Sequence, residues 1–247
     1  MGTLTQNNAQ MKTSSFIYLI CILCMYACGS DTNSSEGKIE NEINSIYGAE
    51  TSFEDIQNAT LGDIKNVHVK NLNVSRSAIL DTLNSTFSLN NIAAIAYENL
   101  SEEERNSYDY IGVELTQKNG EKNPYSFNIK TLKEIDATKE TAYQFAESIS
   151  DASYKNLESI LDTGEDPVTA AKSLEDYFIG TTGTAGPVVN YYFYGLGEGQ
   201  HESKTFYTHL GTFVYKNGVT QNFHVNVFEG DAVTKGYNIN PVANLTR

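Results

Sequence analysis

The spacing of apolar positions divides the second half of this chain into a helical part and a strand-rich part. Apolar residues first recur every three to four positions, as they do on the buried face of a helix. This pattern predicts helices over about 138–150, 154–161 and 167–178. The period then changes to two, which predicts strands over 188–194, 205–215, 219–228 and 233–239. The glycine-rich segments 180–186 and 195–199 are predicted to be a loop and a turn.

The dipeptide Asn217-Gly218 is the strongest hairpin signal in the chain. A two-residue turn there pairs Tyr215 with Thr220 and thereby assigns each strand residue to one face of the sheet. The face predicted to be buried carries Leu210, Thr212, Val214, Phe223, Val225 and Val227. The face predicted to be open carries Tyr207, His209, Phe213, Tyr215 and His224. We predict a ligand-binding site on this open face, formed by Tyr207, His209 and His224.

The first half of the chain has weaker patterns. Ser52 with Asp55 predicts the start of a short helix, and apolar spacing predicts helical segments between residues 79 and 100. Ser101 and Glu104 form a capping box, in which each side chain satisfies a free amide at a helix start. Two short strands, about 110–115 and 125–129, are predicted to form a hairpin around Asn119-Gly120.

The beginning of the chain has the pattern of an export signal. Lys12 is followed by an uncharged apolar run over residues 16–27, which is too short to span a bilayer. Met11 is the better start for such a signal, so the first ten residues are predicted to be an upstream extension. Residues 28–50 are rich in Ser, Asn, Asp and Glu and are predicted to form a flexible tether.

Met25-Tyr26-Ala27-Cys28 resembles the lipobox of bacterial lipoproteins. The resemblance implies that residues 1–27 are a signal peptide and that Cys28 is lipidated at the mature N-terminus. The protein is then expected in the cell envelope, outside the cytoplasm and anchored to a membrane. In a bacterium with two membranes, this is expected to be the outer membrane. Two alternatives stay open, secretory cleavage after Ala27 and a retained anchor. Secretory cleavage would require a small residue at position 25, where the chain has Met25, and a retained anchor would require a longer apolar run.

Three helices followed by a meandering sheet that ends in the segment 236–241 resemble a nuclear-transport-factor-2-like, or cystatin-like, domain. The expected fold class is therefore α+β. A helical and hairpin region over 51–136 is expected to precede a cystatin-like domain over 137–247, with three helices packed on a four-stranded antiparallel sheet. Small domains of this fold and of unknown function occur in bacterial lipoproteins.

Composition excludes several classes of function. All three cysteines, at positions 21, 24 and 28, belong to the signal, so the mature chain has no thiol for a disulfide, a metal site or a nucleophile. The formal net charge is −14, which repels nucleic acids. His209 and His224 provide only two of the three or four ligands that a metal site needs, so no metal is predicted. Segment 180–186 lacks the lysine of a phosphate-binding loop, and no other cofactor is indicated.

These observations predict a lipid-anchored, non-enzymatic envelope protein that binds a small ligand or an envelope partner. A pocket enzyme on the same fold, isomerase-like or hydrolase-like, is the alternative from another class. A structural accessory subunit of an envelope complex is the third. A deep pocket around a Tyr, His or Asp of altered pKa favours the enzyme, whereas a flat exposed apolar patch favours partner binding.

Overall fold

The secondary structure is that of an α+β protein, in a computed structural model that describes residues 33–116 and 120–242. Within these residues the α-helices are α1 (Ser35–Tyr47), α2 (Ser85–Asn99), α3 (Glu102–Ser107), α4 (Ile129–Ser150) and α5 (Pro167–Ala185). Two 3₁₀-helices cover Leu80–Thr82 and Tyr154–Ser159. The first four strands are β1 (Thr51–Leu61), β2 (Ile64–Val74), β3 (Tyr110–Thr116) and β4 (Lys122–Asn128). The last four are β5 (Val188–His201), β6 (Lys204–Tyr215), β7 (Thr220–Phe228) and β8 (Thr234–Ile239).

Helix α1 occupies much of the segment predicted to be a flexible tether, so that prediction is wrong from Ser35 onward. Ile39, Ile43 and Tyr47 recur every fourth residue and are fully buried. The Ser34 side chain caps the helix by accepting a hydrogen bond from the amide of Gly37 at 3.0 Å. This apolar stripe is short and lies in a polar segment, and its burial outweighs the local composition.

The first sheet has the strand order β1-β2-β3-β4 and contains one parallel pair, β2 with β3. Helices α2 and α3 form the connection that a parallel pair requires. The predicted hairpin of β3 with β4 is confirmed, although Asn119 lies outside the described residues. The helix predicted from Ser52 and Asp55 is wrong because this segment is strand β1. There Asp55 lies opposite Lys70 and forms an ion pair with it at 3.0 Å.

The capping box of Ser101 and Glu104 is confirmed at the start of α3. Helix α4 begins nine residues before the predicted position 138, at Ile129, where the Asn128 side chain caps the amide of Lys130 at 2.8 Å. The boundary predicted between residues 136 and 137 therefore lies inside a helix. The first part of α4 contributes to one hydrophobic core through Leu132 and Ile135, and its second part contributes to another.

The second sheet is antiparallel with the order β5-β6-β7-β8, and the four predicted strands are confirmed. The second predicted helix is a 3₁₀-helix, and α5 continues through the predicted loop 180–186 to Ala185, which is buried. The predicted turn 195–199 is also wrong, because these residues belong to β5. A Cβ atom at Gly195 would lie 2.9 Å from a terminal methyl group of Leu210 and 3.3 Å from Cβ of Phe87, so the lack of a side chain at Gly195 permits close packing there.

The hairpin between β6 and β7 has a register that differs by one residue from the prediction. Tyr215 pairs with Val219 around a three-residue loop, in which Gly218 has a φ of +84°. Phe213 therefore lies opposite Gln221, and Thr212 lies opposite Asn222. The predicted face of β7 is right, but the faces of β6 are exchanged. The buried side of β6 is formed by Tyr207, His209, Gly211, Phe213 and Tyr215.

The two halves of the chain meet at the free edge of β5. There the carbonyl groups of Phe193, Tyr194 and Leu196 accept hydrogen bonds from side chains of the first half. The Tyr47 hydroxyl is the centre of this contact, because it donates to the carbonyl of Tyr194 at 2.9 Å and accepts from Asn91 at 2.8 Å. Side chains of α1 and α2 thus satisfy an edge that would otherwise expose unpaired backbone groups.

Tyr47→Phe tests this contact. The change keeps the buried ring but removes the hydroxyl, so the Tyr194 carbonyl loses its side-chain donor. We expect the free energy of unfolding to fall by about 1–3 kcal/mol, measured by equilibrium denaturation in urea. Tyr125→Phe is the matched control, because Tyr125 is exposed and is expected to tolerate the change without loss of stability. Equal stability of both variants would show that the Tyr47 hydroxyl contributes nothing.

Candidate functional site

The three residues predicted to bind a ligand lie in different environments. Tyr207 is 2% exposed and belongs to the core that includes α1 and α2. His209 is also buried, on the helix-packed face of the second sheet. His224 is half-buried, on the opposite face, where it pairs with Leu210. The structure therefore does not bring His209 and His224 together, because the one-residue change in register moves them to opposite faces.

His209 is sealed beneath α4. Its Nε2 atom lies 3.0 Å from the Thr138 hydroxyl, and that hydroxyl donates its own hydrogen to the carbonyl of Ile135 at 2.7 Å. Since a hydroxyl has one hydrogen, His209 must donate from Nε2, which fixes the tautomer of the ring. Burial, with a smaller contribution from Lys139, lowers the pKa of His209 to about 3. The ring is therefore neutral at physiological pH.

Among the residues that the structure describes, no group of three or more His, Cys, Asp or Glu side chains is arranged to hold a metal ion. Cys28, the predicted lipid attachment site, lies outside the described residues. Its lipidation stays a prediction.

A cleft of about 440 Å³ opens beside α4, at the junction between the two halves, and we call it the Lys139 cleft. Its polar walls include four carboxylates, those of Glu98, Asp136, Glu140 and Glu147. It also contains the amine of Lys139 and the rings of Tyr143 and Tyr191. With all five charged groups ionised, four carboxylates against one ammonium give a formal charge of −3.

The helical period of α4 builds most of this cleft. Asp136, Glu140, Tyr143 and Glu147 follow one another at intervals of three or four residues, so they share one side of the helix. The other side packs into the two cores. Glu98 comes from the end of α2 and Tyr191 from β5, so the first half of the chain and the second sheet each complete one wall.

Lys139 is the most constrained group of the cleft. Its side chain is 14% exposed, its ammonium forms an ion pair with Glu98, and it lies 5.0 Å from the centre of the Tyr143 ring. Burial lowers the pKa of Lys139 to about 8, while the charge of Glu42 acts in the opposite direction. The amine is thus mainly protonated at pH 7, but a far larger share is neutral than for an exposed lysine.

Asp136, Tyr143 and Tyr191 also have pKa values shifted toward their neutral forms. Burial raises the pKa of Asp136, and the charge of Arg105 partly offsets this effect. Burial also raises the pKa of Tyr143 and of Tyr191, so both hydroxyls keep their protons. The two rings approach each other edge to face, with their centres 6.1 Å apart. The cleft therefore offers hydrogen-bond donors, carboxylates and two aromatic surfaces.

Sequence reasoning did not identify this cleft. The sequence does indicate that Asp136, Tyr143 and Glu147 share one face of α4, because they have helical spacing. The same pattern is typical of any solvated helix face. Glu98 and Tyr191 are distant in sequence from this stripe, and only the tertiary structure brings them to it.

Comparison with known protein families, with curated proteins and with solved structures finds no match for this chain. The structure therefore defines only a class, an α+β protein with two four-stranded sheets and a polar cleft beside the helix Ile129–Ser150. Within residues 33–116 and 120–242, no helix has the length and apolar character needed to cross a bilayer.

Proposed function

We propose that this protein is a lipid-anchored protein of the bacterial cell envelope that binds a small ligand in the Lys139 cleft and does not convert it. The observation that carries the proposal is the cleft itself. Its volume of about 440 Å³ lies in the range of small-molecule sites, and it is located between two halves of a fold, where such sites often occur.

The chemistry of the cleft supports binding. Tyr143 and Tyr191 offer aromatic surface and protonated hydroxyls, while Glu140 and Glu147 are exposed carboxylates at the rim. The histidine nearest this region, His209, is enclosed by the core and neutral. A neutral, enclosed imidazole has no route to exchange protons with a ligand near pH 7, which favours binding without acid–base catalysis by this residue.

The anchoring part of the proposal is supported by the sequence. The segment Met25-Tyr26-Ala27-Cys28 resembles a lipobox, and Cys28 is the last cysteine of the chain. We further propose that the second half is a cystatin-like domain. The order of α4, a 3₁₀-helix, α5 and the antiparallel strands β5–β8 supports this assignment.

Native mass spectrometry of the full chain, extracted from bacterial membranes in detergent, tests the proposal. We expect a lipid-modified protein with a small molecule bound. Gln144→Trp fills the cleft from an exposed position of α4, so it should abolish the bound mass. Lys133→Trp is the matched control, because Lys133 is exposed on the same helix and does not line the cleft; this variant should keep the bound mass.

Three results would contradict the proposal. A Cys28 that carries no lipid at the mature N-terminus would remove the anchor. A protein that carries no small molecule would remove the ligand. Recovery of an envelope protein that binds Gln144→Trp as well as the unchanged chain would favour the partner-binding alternative over the cleft.

The pocket enzyme is the second candidate, and one observation favours it. Lys139 and Asp136 line the same cleft, and burial shifts the pKa of each toward its neutral form. Such shifts are common among catalytic groups. If the ligand recovered from the cleft is converted by the unchanged protein but not by Asp136→Asn, this candidate replaces the binding protein.

A further inference from the structure

We propose that Lys139 attacks the carbonyl carbon of an aldehyde or ketone and holds this ligand in the cleft as a Schiff base. The inference rests on the proposed function in one respect, that the cleft admits a small molecule. It goes further by naming the reactive residue and the chemical class of the ligand.

The position of Lys139 distinguishes it from the other buried lysine. Lys70 is 5% exposed and is paired with both Glu36 and Asp55, at 2.5 and 3.0 Å, so its amine is fully engaged. Lys139 has one carboxylate partner, Glu98, and lines a cleft that is open to solvent. A ligand in the cleft therefore reaches the amine without disturbing the core.

The groups around Lys139 come from every element that packs near it. Three are on its own helix, namely Asp136, Glu140 and Tyr143, and Tyr191 approaches from β5. Glu98 and Glu42 approach from α2 and α1, and His209 from β6. His209 is neutral and enclosed, so the carboxylates are the groups that exchange protons with the amine.

The reaction balances with groups that the cleft already holds. Glu98 accepts a proton from the ammonium, and the nitrogen lone pair then forms a bond to the carbonyl carbon. Glu98 passes this proton to the carbonyl oxygen to give a carbinolamine, whose nitrogen then returns a proton to Glu98. Glu98 donates that proton to the hydroxyl group as the C–O bond breaks. Water leaves, the C=N bond forms, and no oxidant or reductant is required.

The lowered pKa of Lys139 supports the proposed attack on a carbonyl carbon. With a pKa of about 8, roughly one amine in ten is neutral at pH 7. An unperturbed lysine is neutral in roughly one of 3,000 molecules at the same pH. The neutral, nucleophilic form is thus about 300-fold more abundant at Lys139.

Reductive trapping with benzaldehyde and cyanoborohydride on the folded full chain tests the proposal. Peptide mass spectrometry then gives the rate of benzylation at each lysine. At pH 7 we expect Lys139 to be modified at least ten-fold faster than the exposed Lys133 on the same helix. The rate at Lys139 should reach half its maximum near pH 8.

Gln144→Trp provides the geometric control. By filling the cleft it should lower the rate at Lys139 at least five-fold and leave the rate at Lys133 unchanged. Equal rates at Lys139 and Lys133 in the unchanged protein, or a Lys139 rate that still rises steeply above pH 9, would overturn the proposal. The comparison of Lys139 with Lys133 and the pH dependence of the Lys139 rate are both measured on the unchanged protein. A poorly folded Gln144→Trp therefore does not prevent the test.

The outcomes separate this inference from the proposed function. Fast trapping at Lys139 in a protein that carries no natural ligand supports the reactivity of Lys139 and contradicts the proposed function. A natural ligand without a carbonyl group, together with slow trapping at Lys139, supports the proposed function and overturns this inference.

Discussion

Phe213→Ala is expected to lower the free energy of unfolding by about 3–5 kcal/mol, measured by denaturation in guanidinium chloride. Phe213 is fully buried, and its ring stacks on that of Phe223, with centres 4.2 Å apart. It also meets the Phe178 ring edge to face at 5.6 Å. Alanine leaves a cavity between the Phe178 and Phe223 rings, which the surrounding sheet and helix fill only in part.

Val214, the residue after Phe213, provides the control. The register in the structure and the register predicted from the sequence place these two residues on opposite faces of the sheet. Val214 is half-buried on the open face of β6, so Val214→Ala should cost less than about 1 kcal/mol. In the register predicted from the sequence, Val214 lies in the core and Phe213 at the surface. A larger loss for Val214→Ala than for Phe213→Ala would therefore contradict the pairing of Phe213 with Gln221.

Stability should also depend on pH through His209. The folded protein keeps this ring neutral down to a pKa of about 3, whereas an unfolded histidine takes up a proton near pH 6.5. Between these values the unfolded chain binds more protons, so stability rises with pH. The contribution is complete above about pH 7.5, and about 2–3 kcal/mol of it is lost by pH 4.5.

His209→Gln removes this titration while keeping an amide that can donate to Thr138. The quantity to measure is the difference in unfolding free energy between the two proteins at pH 7.5 and at pH 4.5. The unchanged protein should lose about 2–3 kcal/mol more than the variant over this range. Parallel pH profiles would show that His209 is not buried in its neutral form.

Much of the second half followed from its sequence, because the period of the apolar residues changes clearly from helix to strand. The faces of β6 did not follow, since they depend on the length of one loop. Asn217-Gly218 is compatible with a two-residue turn and with a three-residue loop in which Gly218 is left-handed. The choice depends on the rings of Phe178, Phe193 and Phe223, which pack against the correct face of β6.

The predicted turn at 195–199 and the predicted tether before residue 50 were wrong for a related reason, because contacts with residues distant in sequence determine both segments. The glycines at 195 and 197 indicated a turn, but they allow Phe87 of α2 to approach the strand closely. The polar segment before residue 50 indicated a tether, but four apolar side chains in it are fully buried against the rest of the fold. In each case the deciding partner is distant in sequence, as it also is in the Lys139 cleft.

The start of α1 sets how far the folded body can move from an anchor. Ser35 lies seven positions after Cys28, and an extended chain of that length spans about 25 Å. The tether expected over 28–50 would have spanned about 80 Å. With lipid on Cys28, the protein is therefore restricted to a thin layer next to its own membrane. Under the proposed lipid anchor, the folded body would diffuse in the plane of that membrane.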